Sequence, residues 1–148
     1  MIQEIEKLIL SAAPQGFKIA SEAPDTWAKV QASFARDGKI TIWSGESSNT
    51  VYSAPRVNWA FRAWHDSIHL AHGLDFSLRG EERTAERQCA ALWKLTRDRV
   101  LRKFGEALLE IEIVDQARIA VYTGKFIDNQ REFVVNKLEQ RGLKLCER

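Results

Sequence analysis

The last two-thirds of the chain repeats apolar residues at the spacing of amphipathic helices, and this pattern most constrains the fold. The first of these helices is predicted to have Ser53 as its cap, Pro55 in its first turn and Gly73 as its stop. Later breaks are predicted at Gly105, Gly124 and Gly142, where the periodic pattern is interrupted. The predicted helices cover approximately residues 53–73, 77–105, 106–123 and 128–141.

The N-terminal third mixes helix and strand signals. Residues 2–12 have helical spacing, and residues 25–35 suit a helix capped by Asp25. The Asp-Gly pair at 37–38 predicts a turn, after which KITIWSG alternates as a strand does, and the earlier GFKIA could pair with it. With no linker-like segment, residues 1–148 are predicted to form one domain, a mainly α helical bundle with a small N-terminal β element.

Composition narrows the class of protein. The 22 basic and 20 acidic residues leave a net charge of +2, which does not favour a nucleic-acid partner. Cys89 and Cys146 are isolated, as in a reduced compartment, and neither a signal peptide nor a membrane span is apparent. We therefore expect a soluble, cytoplasmic protein, in the host cytoplasm if the gene is viral; its small-molecule substrate is not indicated.

All three histidines lie within eight residues of the predicted 53–73 helix, in WHDSIHLAH. Two neighbouring stripes run along this helix, and the polar one should lie in a cleft beside the core. The apolar seam comprises Val57, Phe61, Trp64, Ile68 and Ala71, and the polar seam comprises Asn58, Arg62, His65, His69 and His72.

A metal site is the function that this cluster predicts. His65 and His69 are four residues apart, so one helix face presents both imidazoles to a single ion. The chain turns back after Gly73, which brings a carboxylate from the next helix as third ligand. Glu81 is favoured because it shares an inward stripe; Glu82 and Glu86 are alternatives.

The predicted donors suit zinc first, with iron or manganese as alternatives. A bound ion could activate water for hydrolysis, with Asp66 or Glu82 moving the proton as candidate catalytic residues. Asp66 could instead be a ligand, or orient a ligand imidazole. Arg62, one turn before His65, could bind an anion or form a surface ion pair.

The segment HDSIH is followed, after eleven residues, by Glu81. This pattern resembles the HDxxH–x11–E metal motif of the coenzyme Q biosynthesis assembly family, a mostly helical group. The match includes the Gly80-Glu81 pair and Gln88, and covers about 25 of the 148 residues. The segment KITIWSGESSNTVYSAPRVNWAFRAWHD also resembles small uncharacterised phage proteins. The metal-motif positions that the first resemblance implies are His65, Asp66, His69 and Glu81.

Two other classes of metal-dependent enzyme fit this sequence less well. HD-domain phosphohydrolases need an earlier histidine, which this chain lacks, and zincin proteases have Glu where Asp66 stands. The alternative from a different class is a non-catalytic binding or inhibitory module, such as a phage accessory protein, with a structural histidine cluster. Its candidate contact surface is the basic run RDRVLRK at 97–103.

Overall fold

The computed structural model describes residues 1–145 and is built mainly of helices, with two short strands near the N-terminus. The prediction of a mainly α fold with a small β element is confirmed. Cys146 lies outside the described residues. No helix in the described range is both long and apolar enough to cross a membrane.

The elements are α1 (Ile2–Ala12), β1 (Lys18–Ala20), α2 (Trp27–Asp37), β2 (Thr41–Trp43), α3 (Pro55–His72), α4 (Leu78–Leu95), α5 (Arg99–Leu109), a π-helical segment (Glu110–Asp115), α6 (Gln116–Thr123) and α7 (Gln130–Gln140).

The two strands pair in parallel, with Ile19 opposite Ile42. Parallel strands need a crossover, and α2 provides it. This helix is capped by Thr26, whose hydroxyl accepts a hydrogen bond from the backbone N–H of Lys29, rather than by the predicted Asp25. The Asp25 carboxylate instead lies 2.7 Å from Nζ of Lys29 on the surface.

Helix α3 lies at the centre of the structure, packed against α1, α4 and β2. Three members of its apolar seam, Val57, Phe61 and Trp64, are buried as predicted. The core continues through α5, the π-helical segment and α7, whose side chains form one buried cluster with those of α3. This packing fixes the rotation of α3, and therefore the direction in which its polar seam points.

Both ends of α3 lie within two residues of their predicted positions, but the N-terminal cap differs. Ala54 occupies the cap position, and Ser53 binds the buried carboxylate of Glu6 through its backbone N–H and its hydroxyl, at 2.6 and 2.8 Å. Pro55 begins the helix, and Gly73 ends it in the left-handed conformation, with φ of 61°. The predicted stop at Gly73 is confirmed.

The predicted boundary at Gly105 is wrong. Helix α4 ends at Leu95, and α5 begins at Arg99 after Asp98, whose carboxylate accepts hydrogen bonds from two backbone N–H groups of the first turn. The predicted second helix is therefore two helices. From Arg99 onward the chain continues through the π-helical segment to Thr123 without a break.

Gly105 lies inside α5 because two helices approach it closely. A Cβ atom at this position would lie 2.4 Å from Cδ2 of Leu92 and 3.0 Å from Cδ1 of Ile5. The glycine thus permits close contact between α5 and its neighbours. In the sequence, a glycine in this packing role looks the same as a glycine that ends a helix.

Candidate metal centre

The last turns of α3 and the first turn of α4 bring His65, His69 and Glu81 together. Oε2 of Glu81 lies 3.1 Å from Nε2 of His65 and 3.4 Å from Nε2 of His69. The two Nε2 atoms are 2.9 Å apart, and the ring planes are inclined by 77°. The three residues therefore form a group that could hold a metal ion, and these are the predicted ligands.

The turn between the helices is tightly built. Gly73 reverses the chain, and the hydroxyl of Ser77 caps α4 by accepting a hydrogen bond from the backbone N–H of Gly80. A Cβ atom on Gly80 would lie only 1.9 Å from the carbonyl oxygen of Asp75, so only glycine fits there. Glu81 comes next in the chain, and its position follows from this close approach.

The outer nitrogen of each imidazole is held by an acceptor. Nδ1 of His69 lies 2.9 Å from the carbonyl oxygen of Leu74, and Nδ1 of His65 lies 2.9 Å from Oε1 of Gln88. Carbonyl oxygens only accept hydrogen bonds, so both Nδ1 atoms carry hydrogen and both neutral rings direct an Nε2 lone pair inward. Metal-binding histidines are commonly oriented in this way.

Three electron-pair donors therefore face one another within hydrogen-bonding distance. Burial alone would raise the pKa of Glu81, but His65 and His69, when they take up a proton on Nε2, donate hydrogen bonds and bring positive charge that lower it from 4.5 to about 2. Burial lowers the pKa of His65, and the hydrogen bond and charge of Glu81 outweigh this, so the net shift is upward. An ionised carboxylate beside two inward lone pairs suits a cation, either a proton or a metal ion.

The surroundings of the two rings are asymmetric. His69 is completely buried, with the rings of Phe76 and Trp27 centred 4.9 and 6.1 Å from its own. His65 retains some exposure and lies beside the completely buried Gln88, whose Nε2 has no hydrogen-bond partner in the described part of the chain. His69 therefore fixes the centre to the core, and His65 lies on its open side.

A cavity of about 230 Å³ opens beside His65 and Glu81, and we call it the site cavity. Three members of the polar seam line it, as the cleft prediction requires, whereas His69 lies beneath it and His72 is exposed. The side chains that line the site cavity are Asn58, Phe61, Arg62, His65, Glu81, Glu112, Ile113, Gln116, Ala117, Ala120, Phe126 and Gln130.

Arg62 is engaged by the loop after β2. Its Nη1 donates to the carbonyl oxygens of Trp43 and Gly45, and its Nη2 donates to that of Glu46. Glu46 has a positive φ of 51°, which is unusual for a residue other than glycine. The guanidinium therefore holds this loop against α3 while keeping its charge at the wall of the site cavity.

Neither predicted acid–base residue belongs to the group formed by His65, His69 and Glu81. Asp66 is half-buried, and burial is the main cause of its raised pKa, although the charges of His65 and His69 oppose the shift. Glu82 pairs with Arg118 at 2.9 Å and, with Glu86, lines a separate surface cavity. The catalytic roles of Asp66 and Glu82 stay predictions.

In the basic run at 97–103, one basic side chain has a structural role and the other three are exposed. Arg102 donates to the backbone carbonyls of Thr96 and Trp93, both at 2.7 Å, and so satisfies the end of α4. Arg97, Arg99 and Lys103 are exposed. The run therefore includes a structural residue, and the binding-module alternative stays a prediction.

Glu112 is a site residue that the sequence did not indicate. It lies in the π-helical segment, lines the site cavity, and accepts a 2.7 Å hydrogen bond from Nε2 of Gln116. Burial raises its pKa to about 7, although Gln116 and the charge of Arg62 act in the opposite direction. Such π-helical turns often occur at functional sites.

This carboxyl should make the metal-free protein less stable as the pH rises. Its pKa is about 7 in the folded chain against 4.5 without burial, so between these values the folded state binds more protons and loses stability as they dissociate. On going from pH 5 to pH 8, the free energy of unfolding of Glu112→Gln should rise by roughly 1–3 kcal/mol relative to that of the unmodified protein. Urea unfolding of both proteins at both pH values measures this difference. An equal change in the free energy of unfolding of the two proteins would contradict the prediction.

Comparisons with protein-family models, curated proteins and solved structures find no match to this chain. The fold and the geometry of the centre are therefore the basis for a functional assignment.

Proposed function

We propose that this chain binds one divalent metal ion through His65, His69 and Glu81, and that the ion supports a hydrolase-like reaction in the site cavity. Zinc is preferred, and iron and manganese also suit two imidazoles with a carboxylate. The resemblance to the HDxxH–x11–E motif supports the same ligands and adds Asp66 as a neighbouring motif position.

The observation that carries this proposal is the paired orientation of the imidazoles. Leu74 and Gln88 hold the outer nitrogens of the two rings, which directs both inner nitrogens toward the ionised Glu81. A histidine cluster that served packing alone would not require two inward lone pairs beside a carboxylate. In metal sites, ligand imidazoles are commonly held in this way by a hydrogen bond from the nitrogen that does not face the ion.

The chemistry follows from the number of ligands. His65, His69 and Glu81 would hold the ion, and a divalent ion with three protein ligands would keep an open position where it could lower the pKa of water to about 7. His65 and Glu81 line the site cavity, so that position would be accessible from it. Phe61 and Ile113 provide apolar walls, and Asn58 and Gln116 provide hydrogen-bonding groups for orienting a substrate.

Metal binding is tested most sharply with a pair of adjacent glutamates. We expect the purified protein to contain about one equivalent of metal by inductively coupled plasma mass spectrometry. After chelation it should bind Zn²⁺ in calorimetric titrations, and Glu81→Gln should weaken binding by roughly 100-fold, about 2.7 kcal/mol. Glu82→Gln is the matched control, because its carboxylate pairs with Arg118 on the surface.

Two results would contradict the metal-site proposal. If the folded protein carried no metal and bound none of Zn²⁺, Fe²⁺ and Mn²⁺, the cluster would be a protonated structural network. Equal zinc affinities for Glu81→Gln and Glu82→Gln would also contradict the assigned ligand set. Circular dichroism of each variant establishes that the comparison is made on folded protein.

A further inference from the structure

We propose that Glu112 donates a hydrogen bond to a small organic carboxylate bound in the site cavity, next to His65 and Glu81. This inference rests on the proposed metal function and identifies a ligand class for the same site. It assigns Glu112 a ligand-binding role that neither the histidine motif nor its spacing contains.

The geometry leaves one oxygen of Glu112 available. Gln116 donates to Oε2, and Oε1 has no hydrogen-bond partner among residues 1–145. Glu112 comes from the π-helical segment, whereas His65 and Glu81 come from α3 and α4, yet all three line the same cavity. A ligand that fills this cavity of about 230 Å³ would therefore lie beside both the proposed metal ligands and this carboxyl.

In the metal-free protein, the carboxyl of Glu112 carries the proton needed for donation at pH values up to about neutral. Burial is the main cause of the raised pKa of Glu112, which is about 7. The charged or titratable groups that share its cavity are Arg62 and His65 from α3 and Glu81 from α4, and the Arg62 charge lowers the pKa of Glu112. The buried phenol of Tyr52, in the loop before α3, also interacts with Glu112, because burial and then the charge of Glu112 raise the pKa of the phenol. Because Oε2 accepts from Gln116, the proton belongs on Oε1, where it can be donated to a ligand.

Charge favours an anionic ligand. A divalent ion held by two neutral imidazoles and one carboxylate leaves one positive charge uncompensated, and the Arg62 guanidinium lies at the cavity wall. A carboxylate has two oxygens, one for the metal side and one to accept from protonated Glu112, a short charge-assisted hydrogen bond. Phe61, Ile113 and Ala117 provide an apolar surface for the carbon portion of such a ligand.

The test measures acetate binding to zinc-loaded protein by calorimetry between pH 6 and pH 8. We expect the affinity of the unmodified protein to fall roughly tenfold over this range, beyond any loss from ionisation of bound water, since a deprotonated Glu112 neither donates nor tolerates the anion. Glu112→Gln keeps a donor without titrating, so its affinity should fall at most about threefold. Glu112→Ala should bind acetate roughly tenfold more weakly at pH 6.

Glu110→Gln is the control, since this exposed glutamate lies on the same π-helical segment and lines a different cavity. Its pH profile should follow that of the unmodified protein. Identical profiles for the unmodified protein and Glu112→Gln, or undiminished acetate binding by Glu112→Ala, would overturn the inference. Zinc titrations distinguish failure of the metal-site proposal from failure of this one. If the protein bound no zinc, both proposals would be overturned. If zinc bound normally but the acetate affinity of Glu112→Gln changed with pH as in the unmodified protein, only this proposal would be overturned.

Discussion

Replacing His69 by alanine is expected to abolish tight zinc binding and to lower the free energy of unfolding of the metal-free protein by about 3 kcal/mol. The ring is completely buried and is one of the three proposed metal ligands. Its removal leaves a void between Phe76 and Trp27, and deprives the carbonyl of Leu74 of its hydrogen-bond donor. The stability loss and the ligand loss are separate effects of one substitution.

Urea unfolding without metal measures the first effect, and unfolding at a free Zn²⁺ concentration about 100 times the dissociation constant measures the second. The unmodified protein should gain about 2.7 kcal/mol from zinc at that concentration, and His69→Ala should gain nothing. His72→Ala is the control, because His72 is exposed near the end of the same helix. Equal zinc stabilisation of His69→Ala and the unmodified protein would exclude His69 as a ligand.

Gly80→Ala is expected to lower both stability and zinc affinity, although Gly80 provides no side chain. The added Cβ would overlap the carbonyl oxygen of Asp75 at 1.9 Å, so either the loop before α4 or the first turn of α4 must move. Displacement of the turn shifts Glu81, and displacement of the loop shifts Leu74, which orients His69. We expect a loss of about 2–4 kcal/mol in stability and at least roughly tenfold weaker zinc binding.

Arg79→Ala is the control for Gly80→Ala, since Arg79 is the exposed residue immediately before it. Thermal unfolding and zinc calorimetry on the three proteins provide the comparison. If Gly80→Ala matched Arg79→Ala in both measurements, the close approach of the loop to α4 would not be what positions Glu81.

Several helix ends were predictable because their signals are local. Gly73 and Gly124 both adopt positive φ directly after a helix, which is the conformation that favours glycine. Gly105 has the same appearance in the sequence but serves packing against Leu92, and this depends on a helix that is distant in the chain until the fold forms. Asp98 is the true boundary signal, through its capping of α5.

The grouping of His65, His69 and Glu81 was predictable for a similar reason, and the place of Glu112 in the site cavity was not. His65 and His69 are related by the period of one helix, and Glu81 follows after a single turn of the chain. Glu112 reaches the cavity through long-range packing and through a π-helical segment, whose wider winding changes which side chains face inward. A pattern search based on 3.6 residues per turn cannot anticipate that change.

The helical hairpin formed by α3 and α4 also bears on how the centre assembles. From His65 to Gln88, one short stretch of chain contains the three proposed ligands and the two acceptors that orient the rings. Closing a loop this short costs little entropy, so the coordinating atoms can meet before the distant C-terminal helix docks. An ion captured at that stage would act as a nucleus for the remaining fold, and the order of folding would then depend on metal supply.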